Sequence, residues 1–243
     1  GVLKVLGLSL FLASTPVVVL IVFGLGASDK EAWAVRNGYA FSIGMMLLYL
    51  YPFVEPGLGS IWERIDRATI EWICWHTCFT QIAIQIPHNI FAKAIGAAKG
   101  TMVSWPFYSY GLSDARWYEF EPGVPFIVEL INWNDGLLGL LVFTALIRYW
   151  RSKQDRNIVT FLVISTIFRD ATLFRETVEY MYEHHYSGYQ HTTTNELYRS
   201  HGIAILWLIN GLWLVAPIIT CVWGWRKLAV EIPMAAAVRQ KND

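Results

Sequence analysis

The sequence predicts an all-α protein, a polytopic transmembrane bundle of five or six spans. Composition points there first: of 243 residues, 55% are hydrophobic and only 16% charged, against about 25% charged in a soluble domain. Patterning points there next. Apolar runs recur at 5–25, 38–54, 72–92, 124–150, 158–174 and 203–223, each near the roughly 20 residues that cross a bilayer as a helix. The third observation is that these runs carry a few ionisable residues, which in lipid mark function by default.

The first run reads as a span rather than a signal peptide. Only Lys4 precedes it as a basic residue, and no small-residue cleavage site follows. The start at Gly1, without Met, is expected to reflect trimming or processing. The run at 38–54 is the shortest and decides between five spans and six.

The run at 72–92 contains His76, Thr80 and Gln81. Its Cys74 and Cys78 lie one turn apart, and with Cys221 they read as packing residues rather than a disulfide or metal site. The run at 124–150 holds Glu129, with Asn132, Asn134 and Asp135 close behind. A carboxylate there costs several kcal/mol unless protonated, paired or used. The plain alternative is a buried ion pair with Arg169 or Arg175.

The run at 158–174 leads into Arg169, Asp170, Arg175, Glu176, Glu179 and Glu183. Positions 169, 176, 179 and 183 recur near helical spacing and can share a face, serving internal salt bridges or a charged cavity wall. The last run, 203–223, carries Asn210 and Trp213 three residues apart on one face. Asn needs hydrogen-bond partners in lipid, and a Trp ring can stabilise a cation; helix–helix packing is the structural alternative.

Net charge is zero, so nothing favours nucleic acid as a partner. Arg148, Arg151, Lys153 and Arg156 cluster after the fourth run, and Arg226, Lys227, Arg239 and Lys241 after the last. The positive-inside rule places both clusters, and so the C-terminus, in the cytoplasm. Two polar excursions, 93–123 and 179–200, fall on the opposite side, where they can form a lid. With no repeat and no long linker, residues 1–225 read as a single bundle and 226–243 as a cytoplasmic tail.

His184, His185 and His191 with Glu183 invite a metal reading. Six histidines in all and no HxxHH box make solvated loop histidines the better one, and no metal or other cofactor is expected.

Several of these segments resemble one family. Tyr110-Gly111-Leu112-Ser113-Asp114-Ala115-Arg116-Trp117 is similar to the EYxKGDSRY loop of the emopamil-binding family of sterol Δ8–Δ7 isomerases, in the EXPERA superfamily. Glu129-Leu130-Ile131-Asn132 falls at its METIT helix, and Ser165-Thr166-Ile167-Phe168-Arg169-Asp170 resembles its GQIYGD segment. The stretch from Glu183-His184 to Gly188-Tyr189-Gln190-His191 resembles TEHRDGFQH, and Asn210 to Pro217, NGLWLVAP, is close to NALWLVLP. The matches keep their order and cover roughly residues 72–225.

The resemblance implies an EXPERA-like bundle of five transmembrane helices around a lipid-facing cavity, and a double-bond shift by protonation, carbocation and deprotonation. Glu129 matches the family's acid, His76 its essential histidine, and Asn210 and Trp213 its cation-stabilising pair. Asp114 and Arg116 match the loop that closes the site; Trp117, Asn132, Thr80 and Asp170 complete the expected substrate-binding set. The chain departs from the family at Thr80, where the family has glutamate, and at Asn132, where it has threonine. It also has an additional apolar segment at 38–54 and longer loops.

The leading expectation is an integral-membrane, multi-pass isomerase-like protein acting on a sterol or isoprenoid. It would sit in the endoplasmic reticulum of a eukaryote or the inner membrane of a bacterium. Its partners would be that substrate and membrane lipids, with room for a homodimer or for subunits of a membrane complex. Thr80 favours the alternative, a non-catalytic lipid-binding or scaffold subunit of a larger assembly.

Overall fold

The computed structural model describes residues 1–57, 59–117, 126–152 and 155–234, without the side chains of Cys78, 126–130 and Asn132. The described residues are helical throughout, with no strand. Helix α1 spans Val2–Gly24, with two stretches of wider, π-type turns at Ser9–Ala13 and Leu20–Gly24. Helix α2 covers Lys30–Val54. Helix α3, Ile61–Trp72, runs through π-type turns at Ile73–Gln85 into α4, Ile86–Ala97. A short α5, Trp105–Gly111, and a 3-10 turn at Ala115–Trp117 lie in the polar excursion expected from the sequence to act as a lid, and are called the lid. The long helices α6, Phe126–Arg151, α7, Arg156–Tyr186, and α8, Glu196–Arg226, complete the bundle.

Each predicted apolar run lies largely inside a helix, but most of these helices start earlier, at residues that cap the free backbone N–H groups. The Asp29 carboxylate accepts from Ala32 N at 2.9 Å. Ser60 and Glu63 form a reciprocal capping box at α3. Asp155 accepts from Asn157 N and Ile158 N at the start of α7, and Asn195 from Leu197 N at the start of α8.

Helix α8 packs against α7, α2 and α3, while α6 packs against α7 and the 73–85 segment, and α1 lies along α2. Gly44 permits that last approach: a β-carbon there would sit 2.6 Å from the Phe11 backbone nitrogen. At one end Glu71 ties three helices together, accepting from Lys4 Nζ at 2.6 Å, Tyr51 OH at 2.7 Å and Trp75 Nε1 at 2.9 Å.

Among the described residues, three helical segments are long and apolar enough to cross a membrane: Val2–Gly24, Arg156–Tyr186 and Glu196–Met234. Their outer faces agree with their composition. On α7, Phe161, Ile164 and Phe168 stand exposed at helical spacing, as do Val215, Ile218 and Val222 on α8. Helix α6 adds exposed Leu137, Leu140 and Leu141. Apolar stripes of this extent are unfavourable against water and favourable against lipid tails.

Candidate functional site

The π-type turns at 73–85 and the bend at Phe91 (φ −108°, ψ 15°) carry the third apolar run past a cavity of about 460 Å³. Phe11 from α1, Phe41 from α2, Phe79 and Thr80 from the 73–85 segment, Phe107 from α5 and Trp213 from α8 wall it. The size falls within the range of pockets that enclose drug-sized ligands, and the walls are predominantly apolar, as such pockets usually are. Phe79 meets Phe11 edge-on at 4.7 Å between ring centroids, so α1 and the 73–85 segment close the cavity with aromatic rings.

Polar atoms on this wall are few and oriented. Asn37 is 3% exposed and donates its Nδ2 to Ser109 Oγ at 3.0 Å. Ser109 in turn donates to the Ala34 carbonyl at 2.8 Å. Its proton is thereby committed, so Asn37 must present its amide nitrogen to Ser109, which leaves Asn37 Oδ1 without a partner. Thr80 Oγ1, Trp117 Nε1 and Trp213 Nε1 are also buried without a partner.

Beside the cavity is a chamber of about 30 Å³ that shares Tyr110, Trp117 and Trp213 with it. Asp135 from α6, Glu176 and Tyr180 from α7, Asn210 from α8 and Gln85 also line it. Gln85 Nε2 donates to Asp135 Oδ2 at 3.1 Å, and Asn134 Nδ2 donates to Glu176 Oε1 at 3.1 Å. The other carboxylate oxygens, Asp135 Oδ1 and Glu176 Oε2, have no partner.

His76 is fully buried behind Trp213. It stacks on Trp72 at 4.2 Å and meets the Trp213 ring edge-on at 5.5 Å, and neither ring nitrogen has a hydrogen bond. Deeper on the same side, Arg169 donates to Thr77 Oγ1, to Gln81 Oε1 at 3.3 Å and to Asp170 Oδ1. Asp170 also faces Trp72 Nε1 at 3.5 Å. Arg169 and Asp170 are both fully buried.

The lid holds a second charged cluster. Arg116 Nε lies 2.9 Å from Asp114 Oδ1, and Arg116 Nη1 lies 2.8 Å from both oxygens of Glu183. Tyr180 donates to Asp114 Oδ2, and His184 Nε2 lies 3.2 Å from the same oxygen. Burial alone would push the Asp114 carboxyl up. Hydrogen bonds from His184 and Arg116, with the guanidinium charge, outweigh it and hold Asp114 well below the usual carboxylate range. Burial pulls His191 down, with the Arg116 charge adding to the effect.

The expected site residues thus divide by place. Thr80, Trp117 and Trp213 line the cavity, and Trp117, Asn210 and Trp213 line the chamber. Asp114 and Arg116 sit in the lid, joined to the chamber through Tyr180. His76 touches Trp213 but is not part of the cavity wall, and Asp170 is taken up by Arg169. The side chains of Glu129 and Asn132 lie outside the described residues. Of the chamber pair, Asp135 stood out in the sequence as a polar position inside an apolar run, and Glu176 as part of the charged stretch after 158–174. What the sequence did not reveal was that they line one chamber. Among the described residues no three of His, Cys, Asp and Glu are grouped to hold a metal ion. Compared with known proteins, the chain matches no family model, no curated protein and no solved structure.

Proposed function

We propose that the chain is a multi-pass membrane protein of emopamil-binding type, which binds a sterol or isoprenoid and shifts a ring double bond. The observation that carries this reading is the aromatic cavity of about 460 Å³, bordered by Thr80, Trp117 and Trp213. Three membrane-length helices and the exposed apolar stripes on α6, α7 and α8 support the bilayer as its surroundings. In this reading α2, α6 and the helix through 73–85 cross as well, and the C-terminus lies in the cytoplasm beside the basic residues after α8.

The chemistry asks little beyond positioning. A carboxyl O–H gives its proton to one alkene carbon, leaving a cation on the neighbouring carbon. A carboxylate then takes a proton from the adjacent C–H, whose electrons form the new double bond. Atoms and charge balance without an oxidant or cofactor. Glu129 is assigned as the acid and base through the resemblance, His76 as its proton partner and Asn210 as the group that orients it. The Trp213 ring, on the cavity wall, supplies π-electrons to the developing cation, and exclusion of water protects the cation from capture. Asp114 and Arg116 hold the lid.

A second reading is a lipid-binding or scaffold subunit without catalysis. Thr80 in place of an acid favours it, as does the absence of any hydrogen bond to His76.

The isomerase and lipid-binding readings both require the cavity to be occupied. Ala83 lines it, so Ala83→Phe places a ring in that space. Retention of a Δ8-sterol by the purified chain is expected to fall about tenfold or more, with an unfolding temperature near wild type. Unchanged retention would remove the cavity from the account.

A further inference from the structure

The chamber beside the cavity gathers oxygen atoms that lack hydrogen-bond donors, alongside the unpartnered donors Tyr110 OH, Trp117 Nε1 and Trp213 Nε1. Asp135 is 1% exposed and Glu176 3% exposed. Each spends one carboxylate oxygen on an amide donor, Gln85 Nε2 or Asn134 Nδ2, and leaves the other unpartnered. Gln85 is 2% exposed, and because its nitrogen faces Asp135, its own Oε1 is unpartnered as well. Asn210 donates its Nδ2 to the Leu206 carbonyl at 2.8 Å, which leaves Oδ1 for the chamber.

Charge makes the same point. Buried carboxylates are stable when paired or bound to a metal ion. No lysine, arginine or histidine lines the chamber among the described residues. The charge of Arg169 reaches Asp135, but its guanidinium is committed to Asp170, Thr77 and Gln81. Arg175, near Glu176, pairs with Glu179 at 3.4 Å. A chamber of about 30 Å³ has room for one or two water-sized bodies.

We propose that this chamber binds one hard monovalent cation of the size of sodium, held by Asp135, Glu176, Gln85 and Asn210. Oxygen-only ligands select hard cations over transition metals. Each carboxylate has one oxygen to give, so the set falls short of the six to eight oxygens that calcium takes. With one of the two carboxyls protonated, the ion would offset the charge of the other and tie α6, α7, α8 and the 73–85 segment together at one point. The ion site shares Asn210 with the proposed isomerase machinery, but its test reads unfolding and not turnover, so the two can fail separately.

The test is thermal unfolding of the purified full chain in sodium chloride, with choline, potassium and calcium chlorides at matched ionic strength. Saturating sodium is expected to raise the unfolding temperature by roughly 5 °C over choline. Asp135→Asn and Glu176→Gln should each abolish the response. Equal unfolding temperatures in sodium and choline would mean that the chamber holds water alone, and would overturn the proposal. So would a sodium response that survives in both variants. A response to calcium but not sodium would overturn the monovalent assignment.

Discussion

Arg169→Met is expected to cost about 3–5 kcal/mol of stability, because it strands the fully buried Asp170 carboxylate without its partner. Both side chains are fully buried, and Arg169 reaches across the bundle to Thr77 and Gln81. The guanidinium therefore does two things: it neutralises Asp170, and it ties α7 to the 73–85 segment. Adding Asp170→Asn to Arg169→Met removes the stranded charge and should recover about 2 kcal/mol or more. Denaturant unfolding of the two variants in micelles measures both effects. If Arg169→Met unfolds like wild type, the pair contributes nothing to the stability of the bundle.

The second large effect is expected in the lid. Arg116 is 3% exposed and bridges Asp114 and Glu183, so Arg116→Met should also cost about 3–5 kcal/mol. The cluster has a pH signature of definite sign. Asp114 is held below its ordinary range in the folded chain, while in the unfolded chain it titrates near about 3.9. Above that value both states are ionised and the full contribution is present. Below it the unfolded chain takes up a proton that the folded chain refuses, so stability falls by up to about 1.4 kcal/mol per pH unit. Asp114→Asn should flatten this acid limb while leaving the slope elsewhere unchanged. Unfolding temperatures between neutral pH and pH 3 decide it. An acid limb equally steep in wild type and Asp114→Asn would assign the effect to other carboxylates.

How far the molecule was legible in its sequence depends on what each signal measures. Hydropathy located the helices because a run of apolar residues has one stable conformation in lipid. It misplaced several of their starts, since Asp29, Ser60, Asp155 and Asn195 end the free N–H groups by hydrogen bonding and not by being apolar. Those caps were readable as Ser, Asp or Asn ahead of a helix, with Glu63 completing the box at Ser60. The sequence also marked Thr80, Trp117, Asn210 and Trp213 as candidates, and they border the cavity or the chamber.

The rest depends on helix rotation, which no one-dimensional pattern contains. Asp135 and Glu176 lie 41 positions apart by their numbers. They face one chamber only because α6 and α7 pack with those turns inward. Nor did the charged stretch after 158–174 reveal its division of labour. Arg169 and Asp170 pair with each other in the interior, Glu176 turns to the chamber, Glu183 joins the lid, and Arg175 and Glu179 pair in the open. Helical spacing predicted a shared face for 169, 176, 179 and 183. The structure distributes those four residues along α7 among four environments, because each turn of a 31-residue helix meets a different neighbour.

The most direct test of the functional reading is turnover of a Δ8-sterol by the purified chain in lipid, with Glu129→Gln measured beside it. Wild type is expected to convert the sterol to the Δ7 isomer, and the variant to lose at least a hundredfold in rate, about 2.7 kcal/mol of barrier. No conversion by folded wild-type protein that retains the sterol, or equal conversion by Glu129→Gln, would contradict that reading.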